Sequence, residues 1–538
     1  MRHLYKYTTA LCGSLALAAL GADGASAAQL STATGLQNVN HIIIVMQENH
    51  SFDNYFGVLA YAPGSPYHGV GNSKQCGKDD HQCVDGLKCV IAESGQLSCF
   101  NSNVDNDTTR VSAFHDSNRC VAPDLQHSWD GTHQEVNLNN PNQTLMKAPN
   151  DGFVAVNDAT EQLDNGGESP NGDETMGYYN QDDLPFYYDL AQKFAISDRM
   201  FSSVLGPTFP NRSYLMAATS FGHLTTSDTF PPPGNYKPLT GTIFDLMDAQ
   251  HVTWNDYFQD APQGGSFRNF VPPSGPFDPH FFPHSLLLAQ LAGVPGTPPL
   301  AQVVFVDPNF GLTGSSTEND EHPPTDIQRG QANVAQVINA LRNGPYWKDS
   351  ILFVTYDEHG GFYDHVKPPK APQAGASTPD NIAPGQCADA SNLPASGQSG
   401  GGAECHTNLV NPADNSVANA EALCPDMAAN PTGPFPPQCA SFGQLGVRIP
   451  FMAISPFSKP NYVSHTVGDH TSLLALIEKR FMSKKGSPVP HLTARDKHAD
   501  TLEDMFDFVN SPSLNTTIGT AAPPATDCTP TNAAASTP

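Results

Sequence analysis

The chain has 538 residues, 38% of them hydrophobic and 15% charged, a balance that fits a globular protein of one large or two modest domains and excludes wholesale disorder. Its formal net charge of -27 excludes the cationic surface that a bound nucleic acid requires. The same charge repels anions at long range, so a site for one needs local positive charge from a metal or from helix ends.

The first residues, MRHLYKYTTALCGSLALAALGADGASAAQL, join Arg2 and Lys6 to an apolar run and then to small residues around Ala27 and Ala28. That is the build of a secretory signal peptide over 1–28. No later segment reaches about 20 apolar residues, so no transmembrane segment is expected and the mature chain is read as secreted or periplasmic. Apart from Cys12, ten of the eleven cysteines remain. Cys76, Cys83, Cys89, Cys99 and Cys120 crowd one stretch, Cys387, Cys405, Cys424 and Cys439 another, and Cys528 lies in the tail. Export and the lack of paired C-x-x-C spacing favour disulfide staples over zinc.

Strand-like runs at 42–47, 251–258, 301–308, 350–358 and 450–455 alternate with helical patterns at 241–250, 325–343 and 470–481. Apolar strands separated by helices predict an α/β fold with a mostly parallel sheet covered on both faces. Two Gly-, Pro- and Cys-rich stretches, 58–125 and 368–446, break the rhythm and read as stapled insertions in a catalytic region spanning 29–510. Residues 511–538 lack periodicity and are expected to form an extended or mobile tail.

The stretch HIIIVMQENHSFDNYFG (41–57) drives a buried strand directly into Glu48, Asn49, His50 and Ser51. A second strand, SILFVTY, ends on Asp357 and Glu358 before His359, Gly360 and Gly361. Ligands of open α/β sheets sit at the carboxyl ends of strands, and two acidic strand ends with an amide oxygen make a cage for a hard divalent cation. One such end is commonly a solvated cap; two favour a site. In SSVLGPTFPNRSYLMAATS (202–220), Thr208 opens a helix, where it is either a simple cap or a hydroxyl beside unpaired N–H groups. His133 and His322 lie in polar sequence near helix starts, and His127, His359, His365 and His470 are further candidates among twenty histidines.

Taken together, HIIIVMQENHSFDNYFG, GPTFPNR, EHPP and TYDEHGGFYDHV, in this order over roughly residues 38–485, resemble the bacterial phosphoesterase family of phosphatidylcholine-type phospholipases C and respiratory-burst-inhibiting acid phosphatases. The resemblance implies an alkaline-phosphatase-like three-layer α/β/α sandwich with one divalent metal. Glu48, Asn49, Asp357 and Glu358 match the metal-site positions, and Thr208 matches the nucleophile, itself a metal ligand. His322 matches the histidine of the HPP region and His133 that of an HSW segment. After that segment this chain departs from the family pattern with EVNLNNPNQ, which leaves His127 as a rival. Oxygen donors favour calcium, magnesium or manganese.

The implied reaction is hydrolysis of a phosphate ester in two displacements through phosphothreonine. Asn49, His127 and His359 would hold the phosphate, and His322 or His133 would protonate the leaving oxygen. An acid phosphatase acting on monoesters is placed first, because the chain ends soon after HTSLLALIEKRF and carries an ordinary signal. A phospholipase C in transient contact with a lipid surface comes second, favoured by Thr208. A non-catalytic phosphate-binding exported protein comes third.

Overall fold

The computed structural model describes residues 35–526 and 528, apart from 94, 107, 123, 142–143, 145–146, 165–172, 225, 227–234, 237, 269, 271–277, 313–316, 373–378 and 381–441. The expected signal peptide and the second cysteine cluster (Cys387, Cys405, Cys424, Cys439) lie outside the described residues.

An eight-stranded sheet forms the centre. Its strands, in chain order, are β1 (His41–Gln47), β2 (Ala195–Ser197), β3 (Trp254–Phe258), β4 (Phe281–Pro283), β5 (Val303–Val306), β6 (Ser350–Tyr356), β7 (Met452–Ile454) and β8 (Val463–Ser464). Across the sheet the order is β4-β3-β5-β1-β6-β7-β2-β8. All run one way except β7, which is antiparallel to both neighbours. The contiguous Ile42, Ile43, Ile44 and Val45 belong to β1 because that strand is central and buried on both faces. β5 and β6 flank it and are equally buried.

Helices cover both faces. On one side α4 (Pro185–Lys193), α7 (His284–Leu291) and α8 (Ile327–Arg342) pack together; on the other, α5 (Thr208–Ala217), α6 (Ile243–Gln250), α9 (His470–Ile477) and α10 (Ala494–His498) do so. The result is the expected three-layer arrangement. The shorter α1 (Phe52–Phe56), with α2 (Trp129–Val136) and α3 (Phe153–Asp164), lies near the carboxyl ends of the strands. Sequence signals set several boundaries: Thr242 and Asp245 close a capping box on α6, and the Asp326 side chain accepts from the Gln328 N–H at the start of α8.

The insertion at 58–125 folds on its own small core of Val58, Leu87, Cys89, Cys99, Val111 and Ala113 against Val154, Met176 and Tyr178. Cys76–Cys83 and Cys89–Cys99 staple it. The tail departs from expectation. Trp347 Nε1 donates to the Leu514 carbonyl at 3.1 Å, Ile518 is buried, and Cys528 is bonded to Cys120, so the run from 511 to 528 is fastened to the body despite its lack of periodicity. No helix among the described residues is long and apolar enough to cross a membrane.

Candidate active site

Register brings the acidic strand ends together. β1 and β6 pair in parallel with Gln47 opposite Tyr356, so Glu48 and Asp357 leave the sheet side by side. Asn49 turns away in the left-handed region (φ 63), and its N–H donates to Asp357 Oδ1 at 3.2 Å, which also accepts from the Glu358 N–H at 2.7 Å. On the other side of β1, strand β5 delivers Asp307, one residue past its pairing with β1. Gly360 and Gly361, both at positive φ, fold the chain back so closely that a Cβ at Gly360 would lie 2.2 Å from the Asn49 carbonyl oxygen.

The helix carrying Thr208 reaches this cluster through Arg212. Arg212 Nη2 donates to Glu48 Oε1 at 2.8 Å and Nε to Asp357 Oδ2 at 3.3 Å, so one guanidinium holds both carboxylates. Thr208 stands at the start of α5, one turn before Arg212 and on the same face. Burial raises the Asp357 carboxyl, Arg212 lowers it and Glu48 raises it again, leaving it at about 7. Asp320 is pushed well up by burial and by Glu48.

Within this cluster, four buried atoms have no hydrogen-bond partner among the described residues: Asn49 Oδ1, Asn49 Nδ2, Glu358 Oε1 and Arg212 Nη1. A buried carboxylate oxygen left bare costs free energy unless a cation or donor meets it. An orphaned amide oxygen and an orphaned carboxylate oxygen, beside Glu48 and Asp357, fit a hard divalent ion held by oxygen. Glu48, Asn49, Asp357 and Glu358 thus lie together at the ends of β1 and β6, and Arg212, on the helix that Thr208 opens, binds two of them.

Of the four histidines expected to act on the phosphate or the leaving oxygen, two face the cluster. His127 Nδ1 donates to the Leu125 carbonyl and His322 Nδ1 to the Pro323 carbonyl, each at 2.7 Å, which fixes the rings. Asp124 lies 3.8 Å from each imidazole, and the rings are 5.9 Å apart. Burial lowers His322, but Asp124, Glu48 and Asp320 outweigh it and raise it to about 10. His127 is likewise raised against burial by Glu358 and Asp124. His322 is further positioned by its neighbour Glu321, whose carboxylate accepts the hydroxyls of Tyr55, Tyr187 and Tyr356, each at 2.6 Å.

The other two need correction. His359 was expected to bind phosphate, but its Nε2 meets Glu135 Oε2 at 2.8 Å and its Nδ1 meets Glu358 Oε2 at 3.1 Å. With both nitrogens taken and the side chain 1% exposed, it has nothing to offer a phosphate and instead orients Glu358. His133 donates from Nδ1 to the Trp129 carbonyl at 2.6 Å inside α2, and burial lowers it to about 4. A neutral imidazole is a proton acceptor, so His133 does not fit the expected role of leaving-group acid. Sequence reasoning gave no role to Arg212, Asp124 or Glu135. Only Arg212 carried a local signal, the i,i+4 spacing from Thr208 within GPTFPNR.

Residues 39–483 match the Phosphoesterase family, and the chain belongs to that family. It is similar to "Non-specific phospholipase C6" of Arabidopsis thaliana, 27% identical over 88% of this chain and 73% of that one. It is also similar to "Phospholipase C B" of Mycobacterium tuberculosis, 28% identical over 89% and 79%. Among solved structures, murine ectonucleotide pyrophosphatase / phosphodiesterase 5 is 12% identical over 60% of this chain and 95% of that one, with a TM-score of 0.31. The chain is a hydrolase of phosphoric esters.

Proposed function

We propose that this protein is an exported phospholipase C, which cleaves the phosphodiester between a diacylglycerol and a phosphorylated head group with Thr208 as nucleophile. The observation that carries the reading is the convergence of Glu48, Asn49, Asp357 and Glu358 at two adjacent strand ends, with orphaned oxygens on Asn49 and Glu358 and the helix of Thr208 tied to them. The order given by sequence, monoesterase before diesterase, is reversed here because the relatives above are named phospholipases C.

Glu48, Asn49, Asp357, Glu358 and the Thr208 hydroxyl would hold a divalent ion, calcium, magnesium or manganese by donor type. When bound, that ion would supply positive charge that favours an ionised hydroxyl and offsets charge on a phosphoryl group. Thr208 Oγ forms the bond to phosphorus and the bond from phosphorus to the diacylglycerol oxygen breaks. His322, protonated at neutral pH by its carboxylate surroundings, gives the leaving oxygen its proton from Nε2. His127 and the first-turn N–H groups of α5 bear on the phosphoryl oxygens. Water then breaks the phosphothreonine bond and releases the phosphorylated head group. The chain's own bridges suit an exported enzyme meeting lipid from outside.

The test compares an aryl phosphate, an aryl phosphocholine and a lipid diester as substrates for the purified protein, beside Thr208→Ala. Diester cleavage with at least about a hundredfold loss in Thr208→Ala supports the proposal. Cleavage of the monoester alone restores the acid phosphatase, and near-normal turnover by Thr208→Ala removes it as nucleophile.

A further inference from the structure

We infer that the two-stranded ribbon of Cys89–Ile91 and Leu97–Cys99 is the surface by which this protein rests on a phospholipid bilayer, with Val90, Ile91 and Phe100 entering the head-group layer. The inference deepens the phospholipase reading above, since it names where that enzyme meets its lipid. Among the described residues ten large apolar side chains are exposed, and three of them stand on this ribbon or at its end: Val90 at 49%, Ile91 at 62% and Phe100 at 63%. Single exposed apolar residues are ordinary on a globular surface, whereas several on one element mark a place of contact.

Pairing explains why these three lie outside. Cys89 is opposite Cys99 and bonded to it, and both belong to the small core of the insertion with Leu87 and Val111. Val90 is opposite Ser98, and the Phe100 N–H donates to the Lys88 carbonyl at 2.8 Å, so the strand period of two puts Lys88, Val90, Ser98 and Phe100 on the outer face. Ile91, opposite Leu97, shares the face of the cysteines but lies beyond the core. The bridge, and the bond from the Cys89 N–H to the Tyr61 hydroxyl at 3.0 Å, hold the ribbon in shape before contact.

Charge selects the occupant. The chain carries -27 overall, yet between 86 and 104 its charged residues are Lys88 and Glu93. Arg110, whose Nη1 donates to Ser102 Oγ at 2.8 Å, adds a cation on the strand paired with the one after Phe100. Apolar side chains flanked by exposed Lys88 and Arg110 match acyl chains beneath lipid phosphates. A strongly anionic bilayer would repel the rest of the chain, so zwitterionic phosphatidylcholine is the surface that fits. The insertion bearing the ribbon leaves the sheet through α1, just after Glu48, and returns at Asp124 beside His127 and His322. The anchor is thus joined at both ends to segments that carry the site.

The experiment is flotation with phosphatidylcholine vesicles in EDTA, so that binding is read without turnover. It compares wild type, a triple variant (Val90→Ser, Ile91→Asn, Phe100→Ser), a charge-reversed variant (Lys88→Glu, Arg110→Glu) and Phe100→Trp. Because the replaced side chains are exposed, melting temperature and turnover of a soluble aryl phosphocholine should match wild type. The triple variant should partition at least about 100-fold less than wild type, and the charge-reversed one at least about threefold less. The chain's three tryptophans, Trp129, Trp254 and Trp347, are buried, so a blue shift of Phe100→Trp fluorescence on adding vesicles reports the ribbon itself. Wild type that does not float, a triple variant that floats equally, or a Phe100→Trp spectrum that stays put overturns the inference and leaves the phospholipase reading standing. Self-association without lipid that the triple variant abolishes gives the ribbon to a second copy and overturns it too. Failure of wild type to cleave any soluble or lipid diester overturns the phospholipase reading, and flotation lost in the triple variant still supports the surface.

Discussion

Gly360→Ala tests the turn that closes the site. Gly360 sits at φ +61, and a Cβ there would lie 2.2 Å from the Asn49 carbonyl oxygen and 2.6 Å from both the Asn49 carbonyl carbon and its Cβ. Those are backbone and near-backbone atoms of a proposed metal ligand, so nothing flexible can swing aside. The left-handed conformation alone costs an L residue about 1–2 kcal/mol, and a forced shift in a packed interior adds about 1–3 kcal/mol. Gly71 provides the control, since it has φ +59 and nothing within 4 Å of its Cβ position; Gly71→Ala therefore reports the conformational part by itself. Urea denaturation of both variants should show Gly360→Ala less stable than Gly71→Ala by about 1–3 kcal/mol, and metal analysis should show the bound ion reduced because Asn49 is displaced. Equal stability of the two variants with full metal content would refute the argument that this turn presses on the cage.

Three further outcomes are expected. Glu135→Gln keeps the size of the side chain but removes the carboxylate that fixes His359 at 2.8 Å, and Mn2+ affinity should fall about 10- to 100-fold as Glu358 loses its orientation; unchanged affinity in calorimetry would show that His359 does not steer it. His365 is lowered by burial but raised by its bonds to Asp53 and Asp85, to about 9 overall; with a folded value above the unfolded one, its contribution is full below about pH 6.5 and is lost as pH rises through 9. Denaturant midpoints should then show His365→Gln costing about 3 kcal/mol more at pH 6 than at pH 9.5, and a cost independent of pH would contradict the assignment. Cys120→Ser releases the C-terminal run from the body and should cost about 2–4 kcal/mol, with new protease cleavage between 511 and 528; a variant as stable and resistant as wild type would mean that the contacts of Trp347 and Ile518 hold the run unaided.

Legibility followed the local cost of each feature. β1 and β6 were readable because an unbroken β-branched run buried on both faces has few other uses, and their acidic ends were readable because a carboxylate directly after such a run is expensive. The short strands Ala195–Ser197, Phe281–Pro283 and Val463–Ser464 were not, since two or three residues carry no period and their pairing is imposed by neighbours. The helices of the cage fared differently: the long amphipathic α8 announced itself, whereas α2, which supplies Glu135 and His133, begins after the insertion with polar sequence and little apolar rhythm.

His359 shows why roles are harder to read than positions. Its place beside Glu358 makes a ligand-binding function reasonable, but its orientation is decided by Glu135, 224 residues away. Asp124 acts on His127 and His322 in the same way from within the insertion. A buried charge betrays itself in sequence by the apolar residues around it, while its compensating partner rests on the face of some distant element where a charged residue costs nothing locally. The ligands of such a site are therefore visible in advance, and the residues that hold, neutralise and aim them become visible only when the chain is folded, which is why Arg212, seated on the same short motif as Thr208, is the one compensator that helical spacing alone could have exposed.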